Sequence, residues 1–245
     1  MNDLSEGARR AVESARAERL SYSVGILRAP DGRLVAILGE AHMKLPKAAA
    51  IGKAVVGQFD LRGVETFQRT QVAGGRALGA IITAPRLLLR MLSLGTIQGS
   101  TITDAKQLPS GHTVELERTN HVPLGLHVAS LYMSAFFVVA FLAPLTPLLI
   151  PIAPGLAAAI TSCATLFRVH LFALLPGVAF RRRSWSWVLH PFLGILTLRD
   201  ELMAQGTVRM LEDHPTVDAA VVVMGRAHVP GYARILVERH GFAHV

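Results

Sequence analysis

Apolar positions along this 245-residue chain fall into three patterns, each predicting a different kind of element. Short unbroken apolar runs stop at glycine twice: Leu34–Leu38 before Gly39, and Ala219–Met224 before Gly225. Runs of this kind read as buried strands ending in tight turns. Ser21–Leu27 is another strand-like run, and the turn sequence Ala29-Pro30-Asp31-Gly32 separates it from the first, which predicts an antiparallel hairpin. A further short strand is predicted over Phe59–Glu65.

A helical period marks other segments. Residues 4–20 alternate in charge sign and predict an exposed helix. Pro46 opens a second helix, proline being favoured in a first turn. Residues 76–95 are rich in leucine, with Arg86 and Arg90 four apart, and predict an amphipathic helix on a lipid surface, broken at Pro85. Leu198, Leu202, Met203 and Met210 share one face of a late helix that ends at Asp213-His214-Pro215. Tyr232–His240 predicts a closing helix, stopped by Gly241.

The third pattern is the absence of charge. From Thr119 to Phe167 there is no Asp, Glu, Lys or Arg. A charge-free apolar run longer than about 18 residues is a candidate membrane span. Prolines 144, 147, 151 and 154 divide the block, so Leu124–Pro144 predicts one span and Leu156–Phe180 a second. The second carries Arg168 and His170, and a charge at mid-bilayer costs roughly 3 kcal/mol. Arg168 could reach a boundary by extending its stem. Arg181-Arg182-Arg183 followed by Trp185 and Trp187 predicts an interfacial collar. The alternative is a buried helical pair in a soluble protein. Against it, residues 124–143 have no polar stripe beyond His127, Ser130 and Ser134.

Together these predict an α/β fold: a small central sheet flanked by helices, with an inserted transmembrane helical hairpin. Residues 1–118 and 184–245 would be the two halves of the α/β domain and residues 119–183 the hairpin. Two crossings would return the chain to the side it left. The basic flanks Arg118 and Arg181–Arg183 predict that this side is cytoplasmic, in a multi-pass cell-membrane protein with the lipid bilayer as partner.

Composition agrees with that picture. Hydrophobic residues make up 51% of the chain and charged residues 17%, too apolar a balance for an ordinary soluble enzyme. The formal charge of +8 is scattered and partly concentrated beside the apolar segments, with few Tyr or Trp and no recognisable binding module. It therefore points to anionic lipid headgroups rather than nucleic acid. A single cysteine, Cys163, excludes an internal disulfide and a cysteine-based zinc cage. The first twenty residues lack the apolar centre of a signal peptide, so none is expected.

Candidate chemistry sits at the two strand ends. Gly39-Glu40-Ala41-His42 and Gly225-Arg226-Ala227-His228 each place a histidine just past an inner strand. Ligands of open α/β sheets bind along that edge. Two imidazoles there could hold a metal or move protons. Glu40 lies two residues before His42, and Glu65 ends another candidate strand. Arg199 on the late helix could clamp a carboxylate or stabilise an oxyanion. The plainer alternatives are a hydrogen-bonded structural histidine, a surface carboxylate and a salt-bridged arginine. There is no His-Glu-x-x-His, phosphate loop or Gly-x-Ser-x-Gly turn.

The order of these residues resembles the TraB/PrgY/TIKI family, which carries two Gly-x-x-His motifs with a strand-end Glu and a helical Arg between them. Leu38-Gly39-Glu40-Ala41-His42 resembles the first motif and Gly63-Val64-Glu65 the acidic strand end. Arg199-Asp200-Glu201-Leu202-Met203-Ala204 resembles the Arg helix, and Val223–Gly231 running on to His240-Gly241-Phe242 the closing motif. The match spans residues 33–67 and 196–242. It departs in one respect: the apolar block lies between the motif halves, where the family would place it after the domain. The resemblance implies an α/β domain of the erythromycin-esterase-like superfamily. Some relatives are metal-dependent proteases using Mn²⁺ or Co²⁺, and others inhibit a peptide pheromone.

The expectation is a membrane-anchored hydrolase dependent on a divalent metal (Mn, Co or Zn), a peptidase acting on a peptide or a juxtamembrane segment of a membrane protein. Glu40, His42, Glu65 and His228 would bind the metal or activate its water, and Arg199 would orient substrate or stabilise the oxyanion. The alternative is a non-catalytic protein that sequesters a peptide. A third reading makes both tetrads purely structural turns.

Overall fold

The computed structural model of the chain describes residues 4–41, 46–67, 75–92, 94, 101–117, 123–173 and 191–245. In chain order the elements are α1 (Glu6–Ala17), β1 (Tyr22–Arg28), β2 (Leu34–Glu40), α2 (Pro46–Val56), β3 (Leu61–Phe67), α3 (Gly75–Leu92), α4 (Thr101–Gln107) and β4 (His112–Glu117). There follow α5 (Leu124–Leu142), α6 (Thr146–Leu149), α7 (Pro154–Ala173), α8 (Pro191–Asp213), β5 (Ala219–Gly225), α9 (Val229–His240) and β6 (Ala243–His244). The chain divides into two compact units: Met1–Gln71, Thr96–Asn120 and Arg199–Val245 form one, Val72–Gly95 and His121–Leu198 the other.

The first unit is an α/β layer structure around a six-stranded mixed sheet, in the order β4-β3-β5-β2-β1-β6. β2, β5, β3 and β4 run parallel, while β1 is antiparallel to β2 and β6 to β1. The predicted hairpin is present, with Tyr22 opposite Glu40 and Arg28 opposite Leu34. Gly32, at φ 94°, supplies the left-handed residue of its turn, and Asp31 accepts a hydrogen bond from the Arg33 amide at 3.1 Å. All seven residues of β2 are buried, as expected of a strand covered on both faces.

Strand alternation assigns side chains to two layers. Leu34, Ala36 and Leu38 of β2 and Val221 and Val223 of β5 pack with Val12 of α1, Val55 of α2 and Ile102 of α4. Val35 and Ile37, with Val222 and Met224, pack on the other face with Met203 and Met210 of α8 and Tyr232 and Leu236 of α9. Gly206 lets α8 approach β4 closely, because a Cβ there would strike the carbonyl of Leu116. Tyr232 Oη lies 2.7 Å from Thr207 Oγ1, which ties α9 to α8. The sequence reading did not anticipate β4, β6 or α4.

The second unit is helical in its described residues, with α3 against α5. α3 runs through Pro85 without the predicted break. Tyr132 and Phe136 of α5 make edge-on contacts with Phe167 of α7, at ring separations of 5.0 and 5.6 Å. Among the described residues, one helical stretch, Leu124–Leu149, is long and apolar enough to cross a membrane. It combines α5, a 3-10 turn at Ala143–Leu145 and α6, has a mean hydropathy of 2.1, and only 11% of its most apolar window is buried. Leu131, Val138, Phe141, Leu145 and Leu148 are exposed on it. The apolar stretch of α7, Pro154–Val169, is shorter. The expected second span, Leu156–Phe180, extends beyond the described residues.

Candidate functional site

The two strands that carry the tetrads are neighbours. Parallel pairing sets Glu40 opposite Gly225, so both chain halves leave the sheet side by side, one residue out of step. The Arg226 amide donates to the Glu40 carbonyl at 2.9 Å and closes that junction. His228 follows at the N-cap of α9, with its ring buried.

A network of buried charged groups surrounds His228. Asp200 of α8 places Oδ1 2.6 Å from His228 Nδ1. The other ring nitrogen, Nε2, faces Glu65 Oε1 of β3 at 3.7 Å. Glu65 Oε2 accepts a short hydrogen bond from the Gly225 amide at the end of β5. Arg199 Nη2 reaches Glu65 Oε1 at 2.8 Å. The same guanidinium grips Glu117, at the end of β4, in a two-point contact: Nε to Oε1 at 2.6 Å and Nη2 to Oε2 at 3.0 Å. Bidentate arginine–carboxylate pairs of this form fix geometry as well as charge.

The elements explain the convergence. Glu65, Glu117 and Gly225 all lie at or near the C-terminal edge of parallel strands. Arg199 and Asp200 are successive residues of α8, and the close packing of Gly206 on β4 brings that helix to the strand edge. Gly231, in the first turn of α9, sits against Asp200, whose Oδ2 occupies the space a Cβ would take.

Three carboxylates, Glu65, Glu117 and Asp200, face one guanidinium and one imidazole. Burial raises the pKa of Glu117 above the ordinary carboxylate range, although Arg199 pulls against it. Burial likewise raises Asp200, against the hydrogen bond from His228. For His228 burial alone would lower the pKa, but the charge of Glu65 and the bond to Asp200 outweigh it and the net shift is upward. Burial also opposes the charge of Arg199, and Glu117 and Glu65 more than restore it. The cluster holds excess negative charge, so the imidazole is poised to keep its proton.

The predicted site residues therefore separate. Glu65, Arg199 and His228 come together. Glu40 does not share their layer: it follows Ala36 and Leu38 on the opposite face, and its carboxylate accepts from the Thr101 amide at the start of α4 at 3.2 Å. His42 lies outside the described residues. Arg199 was expected to meet substrate, yet its Nε and Nη2 engage Glu117 and Glu65. Sequence reasoning missed Glu117 and Asp200. Asp200 gave no signal, since the helical period sets it off the face of Leu198, Leu202, Met203 and Met210, yet the structure buries it. Glu117 had a weak one, as the last residue of the alternating run Thr113-Val114-Glu115-Leu116-Glu117.

Among the described residues no group of three or more His, Cys, Asp or Glu side chains is arranged around a common point for a metal ion. The partial fit is His228 with Glu65. One ring nitrogen is fixed by a carboxylate and the other faces a second carboxylate, the outer-shell arrangement that metal-binding histidines use. No protein-family model matches this chain, and no curated protein matches it in sequence.

Proposed function

We propose that this protein is a membrane-anchored hydrolase, metal-dependent and acting on a peptide or juxtamembrane segment, with its chemistry at the Asp200–His228–Glu65 array. The observation that carries this reading is the orientation of His228. Nδ1 is pinned by Asp200 at 2.6 Å, which leaves Nε2 directed at Glu65 and able to exchange a proton with a group bound there. A raised imidazole pKa suits proton donation to a leaving group near neutrality. Arg199 acts as a positioning residue that holds Glu65 and Glu117 at the strand ends.

Glu65 and His228, the latter only with its Nε2 proton displaced, and His42, which lies outside the described residues, would hold a divalent ion (Mn, Co or Zn), which would supply a more acidic bound water in place of the imidazolium as proton donor. Kinship with the TraB/PrgY/TIKI family belongs to the same proposal. It is supported by the adjacency of the two Gly-x-x-His strands and by the meeting of Glu65, Arg199 and His228. The anchor is a helical hairpin of α5 and α7 crossing twice, which returns both halves of the α/β unit to the cytoplasmic face. The exposed apolar surface of Leu124–Leu149 supports burial in lipid.

One observation favours a second reading, peptide sequestration without cleavage: Arg199 already engages Glu65 and Glu117, as in a structural ion cluster. Detergent-purified protein, assayed for metal content and for cleavage of a peptide library, separates the two. Hydrolysis predicts cleavage lost on chelation, restored by Mn²⁺, Co²⁺ or Zn²⁺, and absent in Glu65→Gln and His228→Gln. Sequestration predicts peptide binding that survives chelation, with no product. Absence of metal, product and bound peptide sinks both.

A further inference from the structure

We infer that the cleft between α5 and α7 binds an anionic phospholipid, with an acyl chain in the cleft and the headgroup on Arg168. This rests on the membrane reading above. The cleft encloses about 250 Å³. Phe136, Val139 and Ala140 wall it from α5, and Ala164 and Phe167 from α7, with Arg168 at its margin. Such a lining excludes a polar ligand body and admits a hydrocarbon chain.

The charge distribution identifies the other end of the ligand. Arg168 is the only Asp, Glu, Lys or Arg between Arg118 and Arg181. The whole second unit contains seven arginines and no acidic residue, while all 17 Asp and Glu lie in the first. Arg168 therefore has no carboxylate within its own unit to neutralise it, and its side chain is exposed. A guanidinium beside an apolar cleft is complementary to a phosphate joined to a chain, since its planar donor fork matches phosphate oxygens.

Position along the helix agrees. Arg168 is the fifteenth residue of α7 counted from Pro154, about 21 Å along its axis at 1.5 Å per residue. In a hydrocarbon core of about 30 Å, that height lies within reach of the headgroup layer for an extended arginine. The α5 residues on the cleft continue from Phe136 toward Pro144, so the cleft descends from Arg168 toward the turn between the helices.

The test uses the full-length protein, extracted in detergent and exchanged into equal amounts of phosphatidylglycerol and phosphatidylcholine, with retained lipid read by native mass spectrometry. The wild type should retain phosphatidylglycerol over phosphatidylcholine by about fivefold, the effect of one basic residue at an anionic surface. Arg168→Gln should abolish the preference, and Ala140→Phe, which fills the cleft, should reduce retention of both lipids. Equal retention by the wild type, an unchanged preference in Arg168→Gln, or displacement of the lipid by inorganic phosphate alone would overturn the inference. So would a lipid-free dimer, which would mean that a second copy covers the cleft. Carbonate extraction of the source membranes tests the underlying reading separately. Release of the wild type into the soluble fraction would sink the anchor itself, whereas an integral protein without lipid preference would sink only the lipid site.

Discussion

Asp200 Oδ1 and His228 Nδ1 lie 2.6 Å apart and join the two helices that cover one face of the sheet. The bond connects residues 28 positions apart, and the Thr207–Tyr232 hydroxyl pair fixes the same two helices alongside it. His228 therefore cannot turn without losing a buried, charge-assisted bond. The nitrogen left for chemistry is Nε2, which faces Glu65.

The direction of the shifts fixes a pH dependence. His228 has a raised pKa in the fold, so its contribution to stability is fully present below about 6.5 and is lost as pH rises through the folded value. Asp200 and Glu117, also raised, act with the same sign from the carboxylate range upward. The thermal midpoint of the detergent-solubilised protein should be higher at about pH 6 than at about pH 8. His228→Gln should flatten that difference. A midpoint that rises with pH in the wild type would contradict the protonated imidazole.

Arg199 is the cation most needed by the cluster. Arg199→Met keeps most of the side-chain volume but leaves Glu65 and Glu117 buried without their shared partner. The expected cost is about 3–5 kcal/mol near neutral pH, and less in acid, where the carboxyls take up protons. Adding Glu117→Gln should recover part of the loss. Chemical denaturation of the two single variants and the double variant measures the coupling, and strictly additive losses would show that the pair does not interact.

Gly231 reverses an ordinary expectation. Replacing a helical glycine by alanine commonly stabilises by about 1 kcal/mol. Here the new methyl would collide with Asp200 Oδ2 and push the carboxylate from His228. Gly231→Ala should destabilise by about 1–3 kcal/mol and weaken whatever activity or binding the site supports. Gly231→Ala combined with Asp200→Ala should regain stability but not function. Unfolding curves and the site assay, run on the same preparations, separate the two effects.

Much of the sheet was legible because its inner strands are unbroken apolar runs closed by Gly39 and Gly225. The paired motifs pointed to a shared sheet edge; that β2 and β5 are neighbours came from the structure. What went unread was lateral: Thr113-Val114-Glu115-Leu116-Glu117 does alternate polar and apolar, but with only two apolar positions inside a polar stretch it reads as a linker, so Glu117 stayed hidden. Glu40 illustrates a different limit. Sequence order grouped it with Glu65 and His228, whereas the pleat turned its side chain to the layer of α4. Arg199 was noticed, but its partners come from strands far away in sequence.

Arg62 supplies a control that separates fold from site. It lies on β3, three residues before Glu65, and is among the most buried side chains of the sheet. Its Nε donates to the Val56 carbonyl at the end of α2 at 2.8 Å, and its Nη1 to the Ser110 carbonyl ahead of β4 at 2.6 Å. One planar fork thus satisfies two carbonyls at the opposite sheet edge from His228. A lysine carries its charge on a single nitrogen and cannot span both acceptors, so Arg62→Lys gives up at least one of the two bonds. The expected cost is about 1–3 kcal/mol in chemical denaturation. Because neither acceptor belongs to the charged network, the folded fraction of Arg62→Lys should retain the wild-type pH profile of stability above about pH 6.5, the window assigned to His228. A profile altered as strongly as in His228→Gln would mean that the two sheet edges are energetically coupled and that the site cannot be treated as a local cluster.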